Sequence, residues 1–297
     1  MQKLACWLVL GVLGSLHAQT TELPQLEFTN PEPLEGAVNS GSEEQYPLVA
    51  PDKSLYFVRS FDAGNTGGKF SGHDIYLATG TENPKSFITP SNKLGPLNNK
   101  GNNAVVGIST VGNRLYLMNN YGAEDSKKIG ISFTDKGDEG WSEPKAMDIP
   151  ALSFKGQFYG INVSSDGEAI FLSMESDPSK GREDIYIIYR ENNFWKGPYP
   201  VAGEINSSHR EISPYYDATN GFLFFSSNRP GGMGDMDVYM AAKTGESWTE
   251  WSEPVLMPNP LNTASFDAYF SVNPEGAAYL ASNRNGKLSD IYHSTMT

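Results

Sequence analysis

The chain has 297 residues, a formal net charge of −13 and an apolar content of 38%, with 30 glycines, 19 prolines and one cysteine. An acidic chain without a run of Lys and Arg argues against nucleic acid or anionic lipid as a partner. The lone Cys6 excludes an internal disulfide and a thiolate metal cluster.

Residues 1–18 read as a signal peptide. Lys3 supplies the positive end, Ala5 to Leu16 the apolar run and Ala18 a small residue for cleavage. The run is too short to span a bilayer. Cys6 precedes it, which does not suit a lipid anchor. Export to a periplasm or secretion is expected, with residues 19–297 as a single domain and no membrane span.

An apolar strand then recurs about every 55 residues: Ser54-Leu-Tyr-Phe, Arg114-Leu-Tyr-Leu, Ala169-Ile-Phe-Leu, Phe222-Leu-Phe-Phe and Ala277-Ala-Tyr-Leu. A self-similar period of this size means stacked supersecondary units. Each unit offers four short strands. The first leads into a turn such as Ser164-Ser-Asp-Gly-Glu or Val272-Asn-Pro-Glu-Gly. The second is the apolar run. The third opens on an acid, as Asp74-Ile-Tyr, Asp184-Ile-Tyr, Asp237-Val-Tyr and Asp290-Ile-Tyr. The fourth carries an aromatic followed three residues later by proline: Phe87/Pro90, Trp141/Pro144, Trp195/Pro198 and Trp251/Pro254. Once per unit at one register position, these aromatics suit packing between units. The prolines suit an outer edge, where no N–H is owed to a neighbour.

The expected fold is all-β, a five-bladed propeller of four-stranded blades. The fifth unit ends after Asp290-Ile291-Tyr292 without its fourth strand, and Phe28 to Pro31 is a spare strand at the other end of the chain. That strand is expected to complete the last blade and close the ring, which removes exposed edges. Ser226-Ser-Asn-Arg-Pro-Gly-Gly before Asp237-Val-Tyr resembles the WD40-like repeats of the TolB type, called PD40 repeats. Ser282-Asn-Arg before Asp290-Ile-Tyr resembles them too, whereas Met118-Asn-Asn and Ser173-Met-Glu depart from the pattern. The resemblance implies a propeller and leaves function open, since propellers host unrelated activities.

Three sets of residues suggest chemistry. Arg59, Arg229 and Arg284 follow the second strand, and Asp74, Asp237 and Asp290 open the third. Both are missing together from the second unit, which predicts an Arg–Asp staple across the loop. The alternative is that these arginines hold an anionic ligand. Glu44, Glu211 and Asp267 stand at the start of the innermost strands, within a residue of alignment error, with His209 and Arg210 beside Glu211. Such carboxylates either form solvated charge at the channel mouth, or bind hydroxyl-rich ligands, or act as an acid/base pair.

No cofactor motif is found and no metal site is expected. His73, His209 and His293 show no paired spacing. Gly231-Gly-Met-Gly joins two strands and precedes no helix, so it is no phosphate cradle. No Gly-x-Ser-x-Gly elbow occurs. The first expectation for function is a non-catalytic binding or scaffold propeller that recognises an envelope protein segment or a cell-envelope glycan. The alternative is a carbohydrate-active, glycosidase-like enzyme that uses the channel carboxylates.

Overall fold

The computed structural model describes residues 23–121, 129–150, 152–175 and 183–296. The predicted signal peptide, 1–18, lies outside them. Among the described residues no helix is long and apolar enough to cross a membrane. Among these residues the one helical element is a 3-10 turn, Gly95–Leu97.

Five antiparallel sheets follow one another along the chain. Blade one holds Glu43–Val49, Leu55–Ser60 and His73–Ala78, with Ser91 bridged to Leu77 at its outer edge. Blade two holds Val105–Ile108, Arg114–Met118, Ile131–Gly137 and the short outer piece Lys145–Ala146. Blade three holds Lys155–Val163, Ala169–Glu175, Asp184–Glu191 and Phe194–Pro200. Blade four holds Glu211–Asp217, Phe222–Ser227, Asp237–Ala242 and Val255–Leu256. Blade five holds Asp267–Val272, Ala277–Ser282 and Asp290–Thr295, and its outer strand is Glu32–Pro33 from the other end of the chain. Glu32 pairs with His293 and Pro33 with Tyr292, and Phe28 bridges Met296. The ring closes as expected: the pairing begins at Phe28 and runs on past Pro31 to Pro33.

The second strands are buried almost throughout, as in Leu55 to Arg59 and Leu223 to Ser227, because each blade is covered on both faces by its neighbours. Five apolar clusters result, one at each junction between blades. The recurring aromatics sit in them. Phe87 is buried between blades five and one, and Trp141 meets Tyr56 edge-on between one and two. Trp251 lies edge-on to Phe171 and Tyr216, with its Nε1 donating to Trp248 O at 2.8 Å. It is half-buried, so Trp251→Ala should cost about 2 kcal/mol, below the range for a fully enclosed Trp. Urea titration monitored by circular dichroism checks this; no change in midpoint would mean that the ring does not hold the junction.

A second device ties the blades and went unread in the sequence. Val38-Asn39, Leu97-Asn98, Ile205-Asn206 and Leu261-Asn262 each place a fully buried aliphatic residue before an asparagine. The Asn amide then clamps one residue of the third strand of the preceding blade. Asn262 accepts from Val238 N at 2.7 Å and donates to Val238 O at 2.9 Å. Asn39 does the same to Ile291, Asn98 to Ile75 and Asn206 to Ile185. The amide thus ties the next segment to both backbone groups of one residue, and Val238 O, Ile185 O and Ile291 O each accept a backbone N–H as well.

Candidate active site at one mouth of the channel

Glu44, Glu211 and Asp267 occupy equivalent places at the start of the inner strands of their blades, opposite Arg59, Ser227 and Ser282 respectively. All three side chains are fully buried, and each is bound by an arginine of its own blade. Arg59 Nε lies 2.8 Å from Glu44, Arg229 Nη2 3.1 Å from Glu211 and Arg284 Nη2 2.7 Å from Asp267. A hydroxyl four residues upstream completes each cage. Ser40 donates to Glu44 at 2.5 Å, Ser207 to Glu211 at 2.5 Å and Thr263 to Asp267 at 2.7 Å. The guanidinium groups also bond backbone carbonyls of the segments that carry the Asn clamps: Val38 O, Ile205 O and Leu261 O. Each packs over the tyrosine of its third strand, Tyr76, Tyr239 or Tyr292, at 4.4 to 5.0 Å.

The predicted Arg–Asp staple is therefore corrected. Arg229 grips Glu211, and Asp237 Oδ2 instead accepts Met233 N at 2.8 Å and Gly234 N at 3.0 Å. Asp74 likewise caps its own loop through Thr66 N, Thr66 Oγ1 and Asn92 Nδ2. The alignment of Arg59 with Arg229 and Arg284 also shifts. Arg59 stands in the register of Ser227, and its longer reach serves the same carboxylate position.

These three ion pairs are built into the blades and do not form a free acid/base pair. In Glu44, burial outweighs Arg59 and Ser40 and pushes the carboxyl above its ordinary value, and its Oε2 has no partner. Of the other predicted residues, Arg210 is held by Glu183, Nε to Oε2 at 2.6 Å. His209 is half-buried, with its ring 3.2 Å from Ser208 Oγ.

Side chains alternate along a strand, so the residue before each caged acid points the other way. Those residues are Glu43 in blade one, Arg210 in blade four and Phe266 in blade five, with Phe158 in the matching place of blade three. They gather around tyrosines. Two residues after each acid the inner strand is bulged, with Tyr46, Ser213 and Tyr269 at φ of 54°, 48° and 54°. A left-handed residue in a strand is a strained device that re-aims its side chain. Here it brings the Tyr46 and Tyr269 rings within 4.4 Å of each other, centroid to centroid.

Burial pushes the Tyr269 phenol up to about 12, and the nearby charges of Glu43 and Arg210 act on it in opposite directions. Tyr46 is raised too, by burial and by its neighbours Tyr269 and Tyr159. Arg210 lies 5.8 Å from the Phe158 ring centroid, Phe266 packs 6.4 Å from Tyr269, and Phe154 packs 5.2 Å from Tyr159. Tyr159 donates to Asn119 at 3.3 Å. Glu43 has no basic partner. Gln45 Nε2 donates to it at 3.2 Å, and desolvation raises its carboxyl above the ordinary range. The mouth is thus an aromatic funnel with one poised carboxyl and one anchored guanidinium. Glu43, Tyr46, Phe158, Tyr159 and Tyr269 were missed in the sequence; strand alternation beside the acids was the signal for Glu43. Among the described residues no group of three or more metal-ligating side chains occurs.

No family model matches the chain, and no curated protein matches it. Solved structures do. A protein titled a glycoside hydrolase matches with a TM-score of 0.57 and 12% identity, over 91% of this chain and 92% of its own. An α-L-arabinofuranosidase from Podospora anserina, solved in complex with cellotriose, matches at 0.51 and 11%, over 92% and 97%. An α-L-arabinofuranosidase from Clostridium thermocellum matches at 0.50 and 16%, over 88% and 95%. At such identity the likeness shows the fold. It corrects two expectations: these propellers are not TolB-type ones, and their titles favour the carbohydrate-active alternative over a non-catalytic binding scaffold. The resemblance of Ser226 to Tyr239 to the PD40 repeats therefore describes a loop and strand pattern that this propeller shares.

Proposed function

We propose that this chain is a carbohydrate-active enzyme of the glycoside-hydrolase kind, acting at the tyrosine-lined mouth with Glu43 as proton donor. The observation that carries this reading is Glu43 itself. It is a half-buried carboxyl, free of any cation, raised by desolvation and placed beside Tyr269. Cleavage of a glycosidic bond needs a carboxylic acid that still holds its proton near neutral pH, and burial is the usual means of providing it. The rings of Phe158, Phe266 and Tyr269 suit the C–H faces of sugar residues, which bury apolar area while their hydroxyls reach polar groups. Arg210, fixed by Glu183, has donors to offer such hydroxyls or a uronate.

In this reading the three caged ion pairs serve the site indirectly. They pin the start of the inner strand in blades one, four and five, where the bulges aim the mouth. Glu44, Glu211 and Asp267 thus position the site, together with Arg59, Arg229 and Arg284. The signal peptide expected at 1–18 fits a substrate met outside the cytoplasm, in a periplasm or beyond the cell.

The test is turnover. The protein is incubated with a panel of pentose- and hexose-containing polysaccharides and aryl glycosides, and released sugar is followed by chromatography. Product from at least one substrate is expected, and at least about a hundredfold less from Glu43→Gln. No product across the panel, or equal product from the variant, would overturn the assignment.

A further inference from the structure

The channel has a second mouth, at the opposite end of the inner strands, and it opens into a larger space. A cavity of about 220 Å³ is enclosed there by residues from all five blades. It holds about seven waters at about 30 Å³ each. Its floor is apolar: Leu48, Ile108, Val163 and Val272, at the ends of four inner strands. Its rim is made by the first turns of the blades and is polar: Ser109, Ser165, Asp217, Thr219 and Asn273. Between this cavity and the Glu43 mouth lies a constriction of about 30 Å³ that includes Tyr46, Pro47, Pro214 and Tyr269. This narrow space adjoins the cavity, sharing Leu48, Asn162 and Tyr215 with it, and has room for about one water.

We propose that this cavity is a second binding site, for a neutral, hydroxyl-rich ligand of monosaccharide size. Charge selects the class. None of the lining residues is Lys, Arg or His, so an anion finds no counter-charge. The one carboxylate, Asp217, is spent on its own turn. It accepts Thr219 N at 2.9 Å, Asn220 N at 3.3 Å and Asn220 Nδ2 at 2.7 Å, three of its roughly four acceptor positions, so it offers a cation little.

What the rim keeps unspent is a set of neutral groups. Ser165 Oγ, Thr219 Oγ1 and Asn273 Nδ2 make no hydrogen bond to another described residue. The Asn273 amide is already oriented, since its Oδ1 accepts Glu275 N at 3.0 Å and Ala277 N at 2.8 Å, which leaves the nitrogen to donate. An apolar floor under a ring of neutral donors and acceptors, one of them the oriented Asn273 amide, matches a sugar ring, one face C–H and the rim hydroxyl. Neighbouring bonds hold the walls: Tyr215 OH donates to Val272 O at 2.7 Å and Asn162 Oδ1 accepts Tyr216 N at 2.9 Å. A site walled by five blades is pre-organised, which lowers the cost of binding.

The proposal does not depend on Glu43. The test is a titration with D-xylose, L-arabinose and D-glucose, followed by saturation-transfer NMR, with D-glucuronate and D-glucosamine as charged controls. At least one neutral sugar should bind saturably with a Kd on the order of millimolar, as a ligand of this size allows, and the charged sugars should bind more weakly. Ser165→Trp and Thr219→Trp, both at surface turns, should each weaken binding tenfold or more while melting as the parent does. Glu43→Gln should bind as the parent. The absence of saturable binding by all three neutral sugars would overturn the proposal. So would binding that survives both tryptophan variants, or loss of binding in Glu43→Gln, which would place the sugar at the other mouth.

Discussion

Arg229→Met should destabilise the protein by about 3–5 kcal/mol, the range for stranding one member of a buried ion pair. Glu211 is fully buried, and Arg229 is 13% exposed at its side chain. Without the guanidinium the carboxylate keeps only the Ser207 and Ser227 hydroxyls and the Ser207 N–H. The carbonyls of Glu204 and Ile205 lose their donor as well. Against a total stability of about 5–15 kcal/mol, such a loss lies close to unfolding. Adding Glu211→Gln removes the stranded charge, so the double variant should be more stable than Arg229→Met alone. Denaturant midpoints for the four proteins of this cycle measure the coupling. A second cycle, Arg229→Met with Asp237→Asn, should be additive within about 0.5 kcal/mol, since Asp237 bonds its own loop. Strict additivity in the first cycle and strong coupling in the second would restore the loop staple.

The blades were legible in the sequence because their markers are local and repeated. Phe222-Leu-Phe-Phe and Asp237-Val-Tyr each recur at one register, so a count of copies locates the strands. The closure was legible for the same reason, as a missing fourth strand matched by a spare one. The partner of each arginine was not, because pairing across a sheet depends on which face a side chain takes. A pattern within the chain did hold the answer. Blades one, four and five carry both an arginine and an acid at the start of the inner strand. Blades two and three have Asn103 and Tyr159 at that place, and neither has the arginine. Asp184 keeps its position in blade three although the Ser173-Met-Glu triplet holds no arginine, which already argued against a staple from that triplet. The Asn clamps stayed hidden because an aliphatic residue beside Asn in a loop has no periodicity to betray it. Their repetition at 39, 98, 206 and 262 was the available signal. The mouth was missed by one residue. Glu44 was chosen for its equivalence to Glu211 and Asp267, yet equivalence across blades is the mark of a structural part. The residue that differs from blade to blade, Glu43 against Arg210, Phe158 and Phe266, is the one that faces the channel.

Glu43→Gln should reduce glycan turnover by about 10²- to 10⁴-fold, the usual contribution of a positioned general acid. The fold should be retained, because Glu43 makes no ion pair and its one side-chain bond is to Gln45. Its acid form is the active one, so the rate should decline as pH rises through the elevated Glu43 value, and that limb should vanish in the variant. The same elevation has a consequence for stability. A carboxyl whose native value lies above its unfolded value binds more protons in the folded state, so stability falls as pH rises from the unfolded value through the native one. Above that window the folded protein bears the cost of a desolvated charge. Gln at position 43 carries no such charge, so the variant should melt at or above the parent temperature near neutral pH and lose the advantage as pH falls below the ordinary glutamate range. Calorimetric melts of both proteins across that range, set beside their pH–rate profiles, read the two effects together. A variant that is inactive and also less stable at neutral pH would make Glu43 a structural residue of blade one. Retained activity with a retained alkaline limb would move the proton donor to another carboxyl.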